Sequence, residues 1–351
     1  MAAPSMRQSL AAAFVVLAAS GAITALAGIV SHAHARRSSL EMGHATGTNL
    51  LEVPAIVVDG RGDPVTGLNR DDFAVAEDGV SVPIESFSEF DADSATEVDR
   101  GRFIILVLDD MAPPLLSRIK QVAAMFADRM SGFDVAAVLG LGVGHAVTTV
   151  SGRQVKRQIG EIKPLGARAP APLWLEPSDS CAECGNIRPP GAALGSEAIG
   201  GTRQRPMVTI ADLARQLTNI KHRLKTVVCI GPAGLFDVNV SVRSAQYGAW
   251  LTTIHEAAEA NLAIDVVDVP GSTRNRSRGL ATETGGHVFE DRDASKVVEK
   301  IWAATGHYYL IAYRPPAADV HRNVIPRPGS HDIEIRVKRS GATVWARKTR
   351  A

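Results

Sequence analysis

The sequence predicts an α/β fold: a doubly wound, mostly parallel sheet with one antiparallel edge strand, plus a small β unit built from N- and C-terminal segments. Three observations support this prediction. Residues 103–108 form an unbroken apolar run, typical of a strand covered on both faces. From there to residue 305, apolar runs alternate with stretches of helical periodicity. Residues 50–90 and 306–348 instead show short β patterns broken by turns.

The composition allows a folded protein and argues against nucleic acid as a partner. A length of 351 residues accommodates one large domain or two moderate ones, and 45% hydrophobic residues suffice for a core. Lys and Arg total 38 against 37 Asp and Glu, so no global field attracts a polyanion. Basic residues outnumber acidic ones after residue 321, which indicates either a solvated strand face or a contact with anionic lipid or polymer.

Residues 1–35 are predicted to be a signal peptide. Arg7 precedes an almost wholly apolar run over residues 10–30, and Ala33-His34-Ala35 has the small-x-small form of a cleavage site. An uncleaved anchor is the alternative, because about 20 apolar residues can span a bilayer. We expect cleavage after about Ala35 and a periplasmic or secreted location. Membrane contact is expected only if the segment stays uncleaved.

The segments on either side of the central domain are predicted to be β-rich. In residues 50–90, Phe73 and Val75 lead to a hairpin turn at Asp78-Gly79. Residues 91–101 are polar and are predicted to be a linker. Three strand-like runs occupy residues 306–348, and we expect them to join the N-terminal β unit because chain ends commonly lie close together.

Residues 102–305 are predicted to form the α/β domain. A helix is expected to begin at Pro113-Pro114, since proline is tolerated in the first turn. The glycine-rich link after the apolar run 135–141 is too short for a parallel crossover, so the run 146–150 is predicted to be its antiparallel neighbour. Residues 163–206 are rich in Pro and Gly and are predicted to be a loop insertion.

The second half of this domain continues the alternation of strands and helices. Strands are predicted over residues 226–230, 263–269 and 287–289. Helices are predicted around the apolar positions of residues 210–220, around the stripe Tyr247, Leu251, Ile254 and Ala258, and after an N-cap at Asp293.

Several of these segments together resemble the bacterial von Willebrand factor A-related family, whose members are exported proteins with a von Willebrand A domain between short β segments. The resemblance rests on VVDGRGDPVTGLNRDDFAVAEDGVSVPIESFS (57–88), RFIILVLDDM (102–111), GHYYLIAYRPP, and HDIEIRVKRSGATVWARK near the C-terminus. It covers most of residues 50–348 in order, and it implies a von Willebrand A-like sheet for the central domain.

The resemblance also implies a position for a metal-ion-dependent adhesion site, Asp-x-Ser-x-Ser after the first strand. Asp109 matches the aspartate, but Met111 and Pro113 occupy the two serine positions. Mg²⁺ prefers octahedral oxygen ligands, and neither of these two side chains has an oxygen. A carboxylate there can instead accept hydrogen bonds from the first turn of the next helix.

The remaining ligand positions of that site are also altered. Gly231 or Pro232 stands where the family has an aspartate after the fourth strand, and Thr209 is the candidate for its threonine. We therefore expect no cofactor; Mg²⁺ is disfavoured, and any metal would use Asp109, Asp110 and Thr209. The expected partner-binding edge is Asp109, Asp110 and Met111.

Cys181 and Cys184 form a C-x-x-C pair, for which a local disulfide is expected in an oxidising compartment. A thioredoxin-type role requires this motif at a strand-to-helix junction, whereas the flanking residues here indicate a loop. Cys229 lies in an apolar run and is predicted to be a buried thiol.

No catalytic motif is evident in the sequence. His255-Glu256 lacks the second histidine of a zincin motif and is predicted to lie on a solvated helix face. His287, His307 and His331 are isolated in the sequence and are interpreted as packing or surface residues. The predicted function is an exported, non-enzymatic adhesion or interaction module with an unknown protein partner. The alternatives are an extracytoplasmic hydrolase or thiol redox enzyme using residues 163–206, and a membrane-anchored structural envelope protein.

Overall fold

The computed structural model describes residues 50–110, 113–141, 145–164, 174–179, 181–188, 205–232, 245–269, 278–316 and 331–350. The predicted signal peptide, Met111 and most of the 163–206 insertion lie outside these ranges. No helix in the described ranges is both long enough and apolar enough to cross a membrane.

The described elements follow one another in a strand–helix order from β5 onward. The strands are β1 Leu51–Val58, β2 Phe73–Glu77, β3 Val80–Val82, β4 Ile84–Asp91, β5 Phe103–Leu108, β6 Val135–Gly140, β7 His145–Val147, β8 Trp174–Glu176, β9 Lys225–Gly231, β10 Leu262–Asp268, β11 Val288–Phe289, β12 His307–Tyr313, β13 His331–Val337, β14 Thr343–Ala346 and β15 Thr349–Arg350. The helices are α1 Pro113–Arg129, α2 Gly152–Glu161, α3 Arg205–Leu217, α4 Ala245–Glu259, α5 Arg278–Thr284 and α6 Ala294–Gly306.

The central domain is built on a five-stranded sheet in the order β11-β10-β9-β5-β6, and every neighbouring pair is parallel. All residues of β5, β6 and β9 are buried, because helices cover both faces of the sheet. Apolar side chains of α1, α2 and α6 pack on one face, and those of α3, α4 and α5 pack on the other. The predicted α/β class and parallel sheet are confirmed.

The antiparallel contact predicted between the runs 135–141 and 146–150 is present, although it is shorter than a strand pair. After β6 the chain returns and forms an isolated antiparallel bridge, in which Ala136 and Thr149 exchange two backbone hydrogen bonds of 2.8 Å. Strand β7 itself pairs in parallel with β8, which belongs to the segment predicted to be only a loop. Leu175 in β8 is fully buried, and its N–H donates to Gln216 Oε1 at 2.9 Å. Residues 163–206 therefore contribute one strand to the fold, which their Pro- and Gly-rich composition did not indicate.

Helix α4 buries only part of the predicted apolar stripe. Ile254 and Ala258 are buried as predicted. Leu251 is 36% exposed, and Trp250 and Ala257 are buried in its place. Since Trp250 has the largest apolar side chain in this segment, its burial sets the rotation of α4 against the core.

The N- and C-terminal segments pair with each other to form a two-layered β sandwich. One sheet has the order β14-β1-β12-β4 and the other β15-β13-β2-β3. Apolar side chains from both sheets, including Phe73, Val75 and Ile311, form the core between the layers. The predicted hairpin joins β2 to β3 through Asp78 and Gly79, whose φ angles of 50° and 79° suit a tight two-residue turn.

The sheet that contains β1 and β12 is buried on both faces. Tyr309 and Ile311 point into the sandwich, while Tyr308 and Leu310 pack against the central domain. The Tyr308 hydroxyl accepts a hydrogen bond from the Leu224 N–H at 3.2 Å, just before β9 begins. The sandwich thus covers the amino ends of the parallel strands, and their carboxyl ends lie at the opposite edge.

Candidate functional site

The candidate site lies at the carboxyl edge of the parallel sheet, where the sequence placed Asp109 and Asp110. Both follow β5 directly and are buried, with exposed fractions of 3% and 0%. Strand β5 lies between β6 and β9, and the helices that follow β5 and β9 pack on opposite faces of the sheet. The pair therefore stands at a topological switch point, where open α/β sheets usually bind ligands.

The end of β9 approaches Asp109 closely. The Asp109 N–H donates to the Ile230 carbonyl at 3.0 Å, so the two strands remain in register past the end of β5. A Cβ atom on Gly231 would lie 2.5 Å from Asp109 Cβ and 3.4 Å from Asp109 Oδ2. Position 231 therefore has no room for a side chain in this arrangement.

Replacing Gly231 with alanine is expected to lower the free energy of unfolding by about 1–3 kcal/mol, because the added methyl group must displace the backbone-proximal part of Asp109. Denaturant unfolding measures the change. Gly248→Ala in α4 is the matched control, since a Cβ there meets nothing within 4 Å and alanine favours the helix by roughly 0.5–1 kcal/mol. Equal effects at the two positions would contradict the proposed close approach.

The residues at this edge do not fit the usual magnesium shell. Asp109 and Asp110 supply carboxylates, but Pro113 and Gly231 have no side-chain oxygen. Met111 lies outside the described residues, and its thioether is a soft ligand that does not suit Mg²⁺. Among the residues that the structure describes, those at this edge do not supply the oxygen cage that an adhesion-site metal requires.

The structure places Thr209 inside α3, partly buried, and not in a loop at the edge. It instead adds a carboxylate that sequence analysis missed. Asp268 is the last residue of β10, lies opposite Gly231 in the ladder, and is partly buried. The signal was present in the sequence, because Asp268 ends an apolar strand much as Asp109 follows one.

The edge therefore carries carboxylates from two strands, β5 and β10. Burial of adjacent carboxylates is costly unless hydrogen bonds or positive charge stabilise them. Asp109, Asp110 and Asp268 each have an interaction within the chain.

Cys181 and Cys184 form a disulfide in the described part of the insertion. Their residues are 2% and 0% exposed, and they pack into the same core as α3 and α4. Between them, Glu183 binds Arg223 at 2.7 Å, which ties the segment to the residues before β9. Because a thiol reagent must first open this core to reach the bond, the arrangement favours a structural role over redox exchange.

Two buried titratable groups lie close together in the middle of the parallel sheet. Burial raises the pKa of Asp265 to about 7, against the opposing hydrogen bond from the His287 N–H. Burial, assisted by the negative charge of Asp265, raises the pKa of the Cys229 thiol. Cys229 is thus a protonated, inaccessible thiol at neutral pH, as the apolar run predicted.

The histidines differ in their surroundings. His255 is exposed on α4, as predicted, while its neighbour Glu256 accepts a hydrogen bond from Arg215 at 2.8 Å. His331 is isolated in the sequence, but the fold places it beside Glu77 and Asp78.

The comparisons with known proteins add little to this geometry. No family model matches the chain, and a search of curated proteins found no match. Among solved structures, the human COPII-coat protein Sec24c is similar with a TM-score of 0.32 and 8% sequence identity, over 76% of this chain and 46% of that chain. The chain therefore spans less than half of the length of that protein. A similarity of this size carries no argument about fold or function.

Proposed function

We propose that this chain is an exported, non-enzymatic interaction or adhesion module of von Willebrand A type, with a degenerate metal site. One observation carries the proposal: a buried carboxylate pair stands at the switch point of the sheet. The resemblance implies that Gly231 or Pro232 takes the place of a metal-binding aspartate beside it. Export is inferred from the signal-like residues 1–35.

The arrangement of the domain supports a role at the carboxyl edge. The β sandwich covers the amino ends of β9 and β10, where Leu224 and Ala263 pack against it. The opposite edge combines Asp109, Asp110 and Asp268, which stand at the carboxyl ends of β5 and β10. A partner that presents Lys or Arg to this edge gains electrostatic complementarity without a bridging metal.

Titration of the full chain with MgCl₂ and with MnCl₂ tests the metal-free part of the proposal. We expect no measurable heat with either salt from the wild type or from Asp109→Ala, because Pro113 and Gly231 remove two oxygen ligands. Circular dichroism confirms that the variant is folded. Tight, saturable binding by the wild type that is lost in Asp109→Ala would overturn the metal-free site.

Cross-linking of this chain to the extracytoplasmic proteins of the cell that produces it tests the interaction itself. A defined partner should be captured in the presence of EDTA and lost with Asp268→Asn, which removes a charge from a partly buried position at low structural cost. Asp128→Asn, in an exposed ion pair with Lys156, is the control and should retain the partner. Capture that requires Mg²⁺, or that both variants retain, would contradict a metal-free acidic edge.

A further inference from the structure

A second group of metal-ligating side chains lies in the β sandwich, far along the chain from the Asp109 edge. Glu77 and Asp78 stand at the end of β2, and His331 stands at the start of β13. His331 Nδ1 lies 2.7 Å from Asp78 Oδ2 and 3.6 Å from Glu77 Oε1. One ligand atom from each of the three residues lies within 4.8 Å of the other two, which is close enough to share one ion.

The backbone holds the three side chains in place. Glu77 lies opposite Ile333 in the β2–β13 ladder, two residues from His331. The Asp78 N–H donates to the Asp332 carbonyl at 2.8 Å, and the Asp332 N–H donates to Asp78 Oδ1 at 2.9 Å. Glu77 and His331 are therefore held by paired strands, and Asp78 is held in the turn by its two hydrogen bonds to Asp332; rigid elements position ligands precisely.

Glu77 is also oriented by groups behind it. The Tyr313 hydroxyl donates to Glu77 Oε2 at 2.8 Å, and burial together with this carboxylate raises the pKa of Tyr313, so the hydroxyl remains a donor. Arg350 donates to Glu77 Oε1 through Nε at 2.8 Å and Nη2 at 2.6 Å. Supporting hydrogen bonds of this kind are typical of carboxylates that bind metals.

Both carboxylates of the cluster are shielded from water, because the side chains of Glu77 and Asp78 are only 1% and 11% exposed. A carboxylate in such a position requires hydrogen bonds or a positive charge nearby, and a bound cation supplies the latter.

We propose that Glu77, Asp78 and His331 form a binding site for one divalent transition-metal ion of the zinc class. One imidazole nitrogen and two carboxylate oxygens suit Zn²⁺, with water as the fourth ligand, whereas Ca²⁺ and Mg²⁺ prefer oxygen alone. Binding replaces the proton that His331 otherwise shares with Asp78, so the metal and the proton compete for the same nitrogen. The site is independent of the function proposed for the Asp109 edge.

A metal at this site would link the N-terminal and C-terminal chain segments that form the sandwich. Glu77 and Asp78 belong to the N-terminal segment, while His331 belongs to the C-terminal segment, and the register of β2 and β13 already aligns them. An ion that binds only the folded arrangement stabilises it by mass action. The melting temperature should therefore rise with zinc concentration.

Isothermal titration of the EDTA-dialysed, tag-free full chain with ZnCl₂ tests the site. The wild type should bind one equivalent that is lost or weakened at least about tenfold in Asp78→Asn and His331→Gln. Asparagine tolerates the positive φ of position 78, so Asp78→Asn keeps the turn while removing the charge. His255→Gln, on the exposed face of α4, should bind zinc like the wild type, and CaCl₂ should give no comparable binding.

Arg350→Gln distinguishes a metal site from a simple ion-pair cluster. Removing the Arg350 guanidinium removes a positive charge and two hydrogen bonds from Glu77 Oε1. Zinc should therefore bind this variant more tightly than the wild type. An intact melting transition shows that the variant is folded. The proposal is overturned if zinc gives no heat with either protein, or if Asp78→Asn and His331→Gln both bind zinc as the wild type does.

Discussion

Replacing Arg102 with methionine is expected to lower the free energy of unfolding by about 3–5 kcal/mol, the largest effect of a single side chain that we anticipate. The Arg102 guanidinium is buried and binds Asp93 at 2.7 Å and Asp134 at 3.6 Å. Its Nε donates to the Trp302 carbonyl at 3.1 Å, and its Cζ lies 4.4 Å from the centre of the Trp302 ring. Methionine fills similar space but leaves the buried Asp134 carboxylate with only backbone donors.

Unfolding of the wild type and of Arg102→Met in guanidinium chloride measures this effect. Arg314→Met provides the matched control. Arg314 pairs with Glu85 at 3.1 Å, but the two side chains are 55% and 33% exposed. Solvent screening makes the contribution of such an exposed pair to stability small. Losses of similar size in Arg102→Met and Arg314→Met would show that the buried position of Arg102 confers no special stability.

Arg102 matters because of the segments that it joins. Asp93 belongs to the stretch 91–101 that the sequence predicted to be a polar linker, while Asp134 precedes β6 in the central domain. The Ala92 N–H donates to the Gly306 carbonyl at 2.7 Å, directly before β12. The predicted linker is therefore held between the sandwich and the parallel sheet, and loss of Arg102 should loosen this junction first.

The strands of the central sheet could be predicted because a strand that is buried on both faces has an unbroken run of apolar residues. Residues 103–108 and 227–230 read as apolar runs, and the helices between such runs require parallel pairing. Strand β8 could not be predicted, because three residues between proline-rich stretches carry no periodicity. Loop length predicted the antiparallel contact between residues 146–150 and β6, but not the parallel pairing of β7 with β8.

The two candidate sites differ in how far the sequence reveals them. Asp109 and Asp110 are visible because a buried strand ends at them, and the resemblance names their position. The close approach of Gly231 to Asp109 is a property of the folded sheet and leaves no local pattern. The contact between His331 and Asp78 is equally hidden, because only the pairing of β2 with β13 brings them together.

Between about pH 4 and pH 7, the unfolding free energy of the wild type is expected to fall because of Asp265. Asp265→Asn should remove most of this fall. Asp265 is buried, and burial raises its pKa from 3.8 to about 7. Over this interval the folded protein holds a proton that the unfolded chain has released, so the contribution of Asp265 to stability is fully present below pH 4 and is lost as the pH rises to 7. At about 1.4 kcal/mol per pKa unit, the fall amounts to about 4 kcal/mol at most.

Unfolding free energies of the wild type and Asp265→Asn at several pH values between 4 and 8 measure the difference. The comparison between the two proteins cancels the titration of groups that they share, and the asparagine side-chain oxygen can still accept from the His287 N–H. Parallel pH profiles would mean that Asp265 is ionised in the folded protein across this range.

Lys225 supplies an internal check, because its titration has the opposite sign in the adjoining window. Its ammonium group is buried and donates to the Ile220 carbonyl at 2.6 Å, and burial lowers its pKa from 10.5 to about 7. Between pH 7 and 10.5 the unfolded chain holds the extra proton, so stability rises with pH there. Together, the titrations of Asp265 and Lys225 contribute a minimum near pH 7 to the pH profile of the unfolding free energy. Asp265→Asn should flatten only the part of the profile below pH 7, and Lys225→Met only the part above pH 7.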